Sequence, residues 1–368
     1  MASQRKPYFQ LLKRLWEVKR ARRDDQAVMP FKLTINVTNV CNSGCLTCSI
    51  WDIYAKGKNR EMFRQELTIE ELKKVVASFG EDLFWLNITG GEPTLKRGLP
   101  ELVRHAVEQC PNLFMVNIPM NGILPERTEY VVEKLASENP EVELNVTLSV
   151  DGIGEQQDKI RGYPGHWERS MESWERLKRL RGKYRNLKCS FQTTISAFNI
   201  DDSERLYGRL SPESDNYIIT FAHEAELYQN YETGVAISEN PAKARVAAKS
   251  FYDLYQFRPW RVLGFFPKAF LRIMSKRLED DTSGVQCMAG AATATVDPYG
   301  KVHPCLFLPD RLGDLREHDF DMRRLLFQDP LADKGRRRAK YCDECWINCE
   351  AYPSMMVSPL QTLHRMVV

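Results

Sequence analysis

Apolar and polar residues alternate at Phe31, Leu33, Ile35 and Val37, and then the period changes, with Leu72, Val75, Val76 and Phe79 falling on one helical face. A period of two predicts a strand and a period near 3.6 a helix. Thr68 and Glu71 stand three apart just before that helical face, the spacing of a capping box. The alternation of periods then repeats. Strands are predicted over 31–37, 83–89, 113–118, 142–150, 187–195 and 217–221, with helices over 100–108, 125–136, 167–180 and 203–210 between them. Short strand-helix repeats imply parallel strands joined by crossover helices. Periodicity alone fits either a (β/α)6 partial barrel or an open doubly wound sheet. Both collect functional groups at the carboxyl ends of the strands. Cys41, Gly90, Asn121, Ser149 and Asp151 fall at those ends.

Outside this region the pattern is different. Residues 8–23 read as a basic amphipathic helix, with Tyr8, Leu12, Leu15 and Trp16 on one face and Lys13, Arg14, Lys19, Arg20, Arg22 and Arg23 around it. It packs across one end of the barrel or lies on a membrane surface. Two helices are predicted over 241–255 and 267–278, the second mixing Phe265, Phe266, Phe270, Leu271, Ile273 and Met274 with Lys268, Arg272, Lys276 and Arg277. The stretch 258–277 is therefore a second basic-apolar element that packs on the barrel's side or meets lipid headgroups. Asp297-Pro298-Tyr299-Gly300 marks a hairpin turn between strands at 293–296 and 301–304. Residues 335–340 read as a basic loop and 355–368 as an apolar tail. The expected division is an N-terminal helix (1–27), a barrel (28–225), a helical linker (226–284), a small hairpin-plus-helix domain (285–352) and a tail (353–368).

A chain of 368 residues, 43% hydrophobic, buries one large core or a large and a small one. A net charge of +3 gives no general pull toward nucleic acid. No apolar run approaches the roughly eighteen residues of a membrane span, and the basic N-terminus lacks the apolar centre of a secretory signal. The expectation is cytoplasmic, peripheral to a membrane if the basic-apolar helices act that way.

The chemistry lies in the spacing of the cysteines. Cys41, Cys45 and Cys48 form CX3CX2C directly after the first strand. Three thiolates hold three irons of a 4Fe-4S cluster and leave the fourth open, whereas four close it. The plain alternatives are a zinc site short of a ligand or three buried thiols. A second set, Cys287, Cys305, Cys342, Cys345 and Cys349, lies in the last quarter of the chain, while Cys110 and Cys189 read as buried thiols.

With Gly90-Gly91-Glu92-Pro93 following it, the CX3CX2C motif resembles the radical S-adenosylmethionine (SAM) superfamily. The resemblance implies the partial-barrel form of the α/β fold. It also implies a cluster on Cys41, Cys45 and Cys48 whose open iron is chelated by SAM, and an external one-electron donor of flavodoxin or ferredoxin type. Reduction yields a 5′-deoxyadenosyl radical that abstracts hydrogen from carbon. Glu92, Gly90, Gly91 and Pro93 then lie by the SAM amino group, Ser149 contacts SAM, and Arg161 pairs with its carboxylate. The aromatic residue usual before the third cysteine is here Thr47, so Ile50 or Trp51 stands in line to cover the adenine. Cys287, Gly300 and Cys305 match the CX9-15GX4C half of a SPASM/Twitch extension, and Leu312-Gly313-Asp314-Leu315 resembles its "GNL" stretch. Full SPASM domains carry seven cysteines. The five here imply one auxiliary 4Fe-4S cluster, on Cys287, Cys305, Cys342 and Cys345, with Cys349 as substitute or bystander. A structural zinc on Cys305, Cys342, Cys345 and Cys349 is the alternative.

Three substrates compete. A peptide, as for SPASM maturases, is weakened by the absence of room for a leader-binding domain and by Leu306, where sulfatase-maturating enzymes carry aspartate. A small molecule or sugar oxidised at carbon suits a single auxiliary cluster as electron acceptor. A lipid or lipid-linked glycan rests on the basic-apolar helices. A non-catalytic iron-sulfur module is the fourth reading. Asp297, Asp310 and Tyr299 lie near the hairpin but give no catalytic base, since turn chemistry accounts for Asp297. His303 is either a donor behind the auxiliary site or a solvent-facing strand residue.

Overall fold

The computed structural model describes residues 4–231, 233–237, 240–255, 265–343 and 345–367. The part of the 258–277 element at 258–264 lies outside them. The chain begins α1 (Tyr8–Asp24), β1 (Lys32–Asn36), α2 (Arg60–Arg64), α3 (Ile69–Ala77), β2 (Trp85–Thr89), α4 (Leu99–Gln109), β3 (Met115–Met120), α5 (Pro125–Glu138) and β4 (Glu143–Ser149). It continues α6 (Glu155–Arg161), α7 (His166–Lys183), β5 (Leu187–Ile195), α8 (Ser203–Leu210), β6 (Tyr217–Phe221), α9 (Pro241–Leu254) and α10 (Phe265–Asp280). Then come β7 (Thr293–Val296), β8 (Lys301–His303), β9 (Gly313–Asp314), α11 (Met322–Gln328), α12 (Pro330–Lys340), α13 (Asn348–Val357) and α14 (Pro359–Val367).

Among the described residues nine strands share one sheet, ordered β6-β5-β4-β3-β2-β1-β7-β8-β9. From β1 to β6 the spatial order follows the chain without reversal, so the switch point of a doubly wound sheet is absent. The sheet is not closed, and the fold is an α/β partial barrel. Apolar residues on one face of each strand, such as Leu33, Ile35, Leu86, Ile88, Val116 and Val146, enter the main core with Leu72, Val75, Val103 and Val132 of the helices. The other face is polar. Thr34 stands opposite Asn87, Asn87 opposite Asn117 and Asn117 opposite Asn145, one level of polar side chains across four strands.

The C-terminal hairpin is stitched onto the barrel. β7 pairs with β1 in parallel, Lys32 opposite Thr293, and β8 and β9 follow antiparallel. The capping box forms as the spacing predicts, with Thr68 Oγ1 accepting from Glu71 N–H and the Glu71 carboxylate accepting from Thr68 N–H.

Several expectations are corrected. On α1 the buried face is Leu11, Val18, Ala21 and Arg22, whereas Tyr8, Leu12 and Trp16 are exposed. The sequence reading followed the bulkiest residues, and the helix buries the neighbouring stripe. On α10 the apolar residues Phe270, Leu271, Ile273 and Met274 are buried, and Lys268 and Arg272 lie over Tyr252, so this face is not presented to lipid. The stretch 335–340 is helical rather than a loop: Asp329 caps α12, Pro330 occupies its first turn, and basic residues fill its last. Gly335 misled because its missing side chain is needed for packing. A Cβ there would stand 2.8 Å from Leu312 and 2.9 Å from the Arg311 carbonyl. The tail is two further helices, α13 and α14.

Candidate active site

The Cys41–Cys48 loop leaves the carboxyl end of β1 and is fixed largely through its backbone. Gly44 N–H donates to Arg161 O at 3.0 Å and Leu46 N–H to Ile160 O at 2.8 Å, while Ser43 Oγ donates to Arg161 O at 2.8 Å. These contacts need small residues. A Cβ on Gly162, whose φ is +60°, would fall 2.0 Å from the Gly44 carbonyl oxygen. Upstream, buried Glu66 accepts from Thr38 Oγ1 at 2.8 Å and from Asn39 N–H at 2.7 Å. From the hairpin turn, the Tyr299 hydroxyl accepts from Asn39 Nδ2 and meets the Tyr54 hydroxyl at 2.8 Å.

The Gly90-Gly91-Glu92-Pro93 turn sits on the same loop. Gly91 N–H donates to Thr38 O and Glu92 N–H to Val40 O, at 2.7 and 2.8 Å. A Cβ on Gly90 would stand 2.6 Å from Thr38 O, and one on Gly91 2.3 Å from Val40 O. The glycines are required by this close backbone approach. Glu92 is buried, accepting from Thr94 N–H and Oγ1 on one oxygen and from Asn121 N–H at 2.8 Å on the other. It thereby caps the short helical turn at Pro93–Leu95 and ties the ends of β2 and β3 together. Burial raises its pKa against those hydrogen bonds.

Arg161, at the end of α6, is central. Its guanidinium pairs with the buried Asp151 carboxylate at 2.7 Å, approaches Cys45 Sγ at 3.8 Å, and keeps a buried Nε without a partner. Burial opposes its charge, but Asp151 and then Cys45 outweigh that and raise its pKa. Asp151, just beyond β4, also accepts from Thr194 N–H. Ser149 ends β4 and its carbonyl accepts from Gln157 Nε2. Ile50 is buried, and half-exposed Trp51 donates its indole N–H to Cys45 O.

Burial, then mutual repulsion, pushes the Cys41 thiol up to about 12, and burial does the same to Cys48. Partly buried thiols that would repel one another as anions need cations among them, which is the setting an iron cluster provides. Among the described residues no group of three or more His, Cys, Asp or Glu side chains could hold a single metal ion. Cluster ligands instead bind one iron each.

The second set divides. Cys287, Cys305, Cys342 and Cys345 lie within electrostatic reach of one another. Cys305 Sγ accepts from Phe307 and Leu308 N–H at 3.4 and 3.3 Å. Burial raises all three of Cys287, Cys305 and Cys345. Arg22 of α1 reaches this nest, donating to Cys287 O at 2.8 Å and Arg336 O at 3.1 Å. Its place on the apolar stripe, four residues after Val18, was the signal in the sequence. Cys349 lines the cavity; besides burial, its thiol feels Lys32 and Glu350, and Glu350 also acts on Cys287, Cys305 and Cys345. The Cys349 carbonyl accepts from buried Lys32. Buried Glu350 accepts from Thr293 Oγ1. His303 is buried 3.8 Å from Asp297, so it does not face solvent. Asp297 accepts from Tyr299 and Lys301 N–H, as its turn requires. Cys110 and Cys189 are buried and donate to Val76 O and Leu177 O.

A cavity of about 1480 Å³ fills the inner side of the sheet. Polar strand residues, including Thr34, Asn87, Asn117, Asn145, Ser190 and Gln192, line one side. Phe265, Phe266, Leu306, Tyr352, Met355 and Met356 line the other. It reaches Thr89, next to Gly90, and Tyr228, whose pKa is raised by burial first and then by Cys349 and Cys48.

Residues 35–207 match the radical SAM superfamily. The chain carries a radical SAM domain. An AdoMet-dependent heme synthase of Methanosarcina barkeri is 24% identical over 308 residues, 79% of this chain and 81% of that protein. An Fe-coproporphyrin III synthase of the same organism is 32% identical over 182 residues. That match covers 48% of this chain and only 40% of the relative's own length. Among solved structures, Streptococcus suis SuiB bound to precursor peptide SuiA superposes with a TM-score of 0.59 at 14% identity, covering 91% of this chain and 73% of SuiB. That likeness shows the fold, a partial barrel. Within the radical SAM domain, the cysteine loop, the glycine turn and Arg161 form one hydrogen-bonded unit at the strand ends.

Proposed function

We propose that this radical SAM enzyme abstracts hydrogen from a carbon of a large amphiphilic small molecule held in the barrel cavity. The cavity carries the reading. One wall is polar, the other aromatic and aliphatic, and its upper end reaches Thr89, which precedes the glycine turn, and Tyr228, whose carbonyl accepts from Ser49 N–H just after Cys48. A site of this kind holds an apolar body on one side and hydrogen-bonds its polar groups on the other.

Cys41, Cys45 and Cys48 would hold a 4Fe-4S cluster, with SAM against Gly90, Gly91, Glu92, Pro93, Ser149 and Arg161. Bound there and given one electron from an external flavodoxin- or ferredoxin-type donor, these cofactors supply the hydrogen-abstracting radical. The chain's part is positioning. Asp151 holds the Arg161 fork beside Cys45, and Arg161 O holds Gly44 and Ser43, so the guanidinium that meets an anionic ligand also aligns the loop. Cys287, Cys305, Cys342 and Cys345 would hold one auxiliary cluster as an electron acceptor, with Cys349 left as a cavity thiol.

Heme and Fe-coproporphyrin III, for which the two relatives are named, are apolar macrocycles bearing carboxylates, and the two walls suit such molecules. Anaerobically reconstituted, reduced protein with SAM should form 5′-deoxyadenosine, and Fe-coproporphyrin III is the first substrate to add. No deoxyadenosine under any reductant sinks the enzymatic reading. Deoxyadenosine without a change in the porphyrin's spectrum or mass sinks that substrate. A peptide is the second reading, favoured by the likeness to SuiB bound to a precursor peptide, and mass shifts in candidate peptides would support it.

A further inference from the structure

The cavity has a second end. Tyr8, Leu12 and Leu363 line it and are also exposed to solvent, so they form a mouth built from α1 and α14. It lies away from the cysteine loop, on the side where the N-terminal residues Arg5 and Lys6 also line the cavity.

The rim is more apolar than an ordinary surface. On α1, Phe9 is 78% exposed, Leu12 66% and Trp16 61%, and Tyr8, Leu12 and Trp16 recur every four residues along one stripe. On α14, Leu360 is 75% and Leu363 51% exposed. Single exposed apolar residues need no explanation, but a contiguous stripe at a cavity mouth does. Exposed cations flank it. Lys13, Lys19, Arg20 and Arg23 face solvent, and the Arg20 guanidinium lies over Trp16 at 5.7 Å. Arg14 and Arg22 are turned inward, and the four cations in solvent stand against Glu17 and Asp24, with which Lys13, Arg20 and Arg23 pair. Trp and Tyr at the margin, Phe and Leu between them, and Lys and Arg around them is the composition of a helix lying in the headgroup layer of an anionic bilayer. α1 is also firmly seated from behind, by Leu11, Val18 and Arg22, so the stripe is presented on a rigid support.

We infer that α1 and α14 dock the protein on an anionic membrane surface, with the cavity mouth against the bilayer, so that a membrane-partitioned amphiphile enters from the end opposite the SAM site. Entry of this kind rests on the amphiphile reading above. Docking itself needs no turnover, so a failure of docking and a failure of that reading are separately visible.

The full-length protein should float with phosphatidylcholine vesicles containing phosphatidylglycerol. It should stay at the bottom with phosphatidylcholine alone, and be released as salt is raised. Brominated lipid should quench tryptophan fluorescence, and Trp16→Phe should remove most of that quenching. Leu12→Glu with Trp16→Glu should lower flotation at least about tenfold with an unchanged melting temperature, because both side chains are in solvent. Absence of flotation with anionic vesicles overturns the inference. So does equal binding to neutral vesicles, or flotation that survives the double variant. Light scattering that shows a dimer abolished by the double variant would also overturn it, placing a second copy on the stripe.

Discussion

The two cysteine groups sit at opposite ends of one strand and are built on different plans. Beyond the last residue of β1, Cys41, Cys45 and Cys48 ride on a loop whose backbone is held by Arg161, Thr38, Val40 and the glycine turn. Beside the first residue of β1, where Lys32 pairs with Thr293, Cys287, Cys305, Cys342 and Cys345 form a nest backed by Arg22 and by N–H groups aimed at Cys305. Three thiols pinned from behind leave a side for ligand chemistry. On the proposed reading, four thiols would enclose a cluster and leave it to carry electrons. The same residue type serves both, and what differs is the count and where the hydrogen bonds are spent.

The largest effect expected concerns membership of the nest. Cys345→Ala should lower iron from about eight to about four per chain, while Cys349→Ala should leave it near eight. Equal iron loss in both would merge Cys349 with the nest and break the division. Next comes the pinning of the first loop. Arg161→Gln strands buried Asp151 without its cation and should cost about 3–5 kcal/mol in denaturant unfolding, with Arg161→Lys costing less. An effect below about 1 kcal/mol would show that the pair does not hold the loop. Gly91→Ala places a Cβ 2.3 Å from Val40 O and should cost about 1–3 kcal/mol. It should empty the first site and spare the second, as read by the iron content and spectrum of the variant. The smallest effect is on pH. His166 is buried and His223 partly so, their pKa values pushed down to about 3 and about 4, first by desolvation and then by Arg161 and Arg277 respectively. Folded values below the unfolded value of about 6.5 mean that these groups bind protons more tightly in the unfolded chain. Their contribution to stability is therefore complete above that pH and lost as pH falls toward 3. His166→Gln should flatten this decline in melting temperature.

Much of this comparison was legible in the chain. The alternation of periods located every barrel strand, because one face of each packs on helices, and CX3CX2C with Gly90-Gly91 marked the first site. The order of the strands was not legible, since a period of two is the same in a barrel and in a doubly wound sheet. Arg22 was grouped with the basic residues around the Tyr8–Trp16 face, whereas its register with Val18 puts it inside. Gly335 suggested a loop, yet it is a helix residue whose Cβ would clash with the preceding segment. Asp151 could be placed at a strand end, but its pairing with Arg161 depends on where α6 turns back, and no local pattern encodes that.

The most direct measurement compares deoxyadenosine formation in two anaerobically reconstituted variants. Cys41→Ala/Cys45→Ala/Cys48→Ala should keep about four irons and form none from SAM and dithionite. Cys342→Ala/Cys345→Ala should also keep about four irons and still cleave SAM. Deoxyadenosine from the first variant, or none from the second with its remaining cluster intact, would contradict the assignment of the open site to the loop after β1.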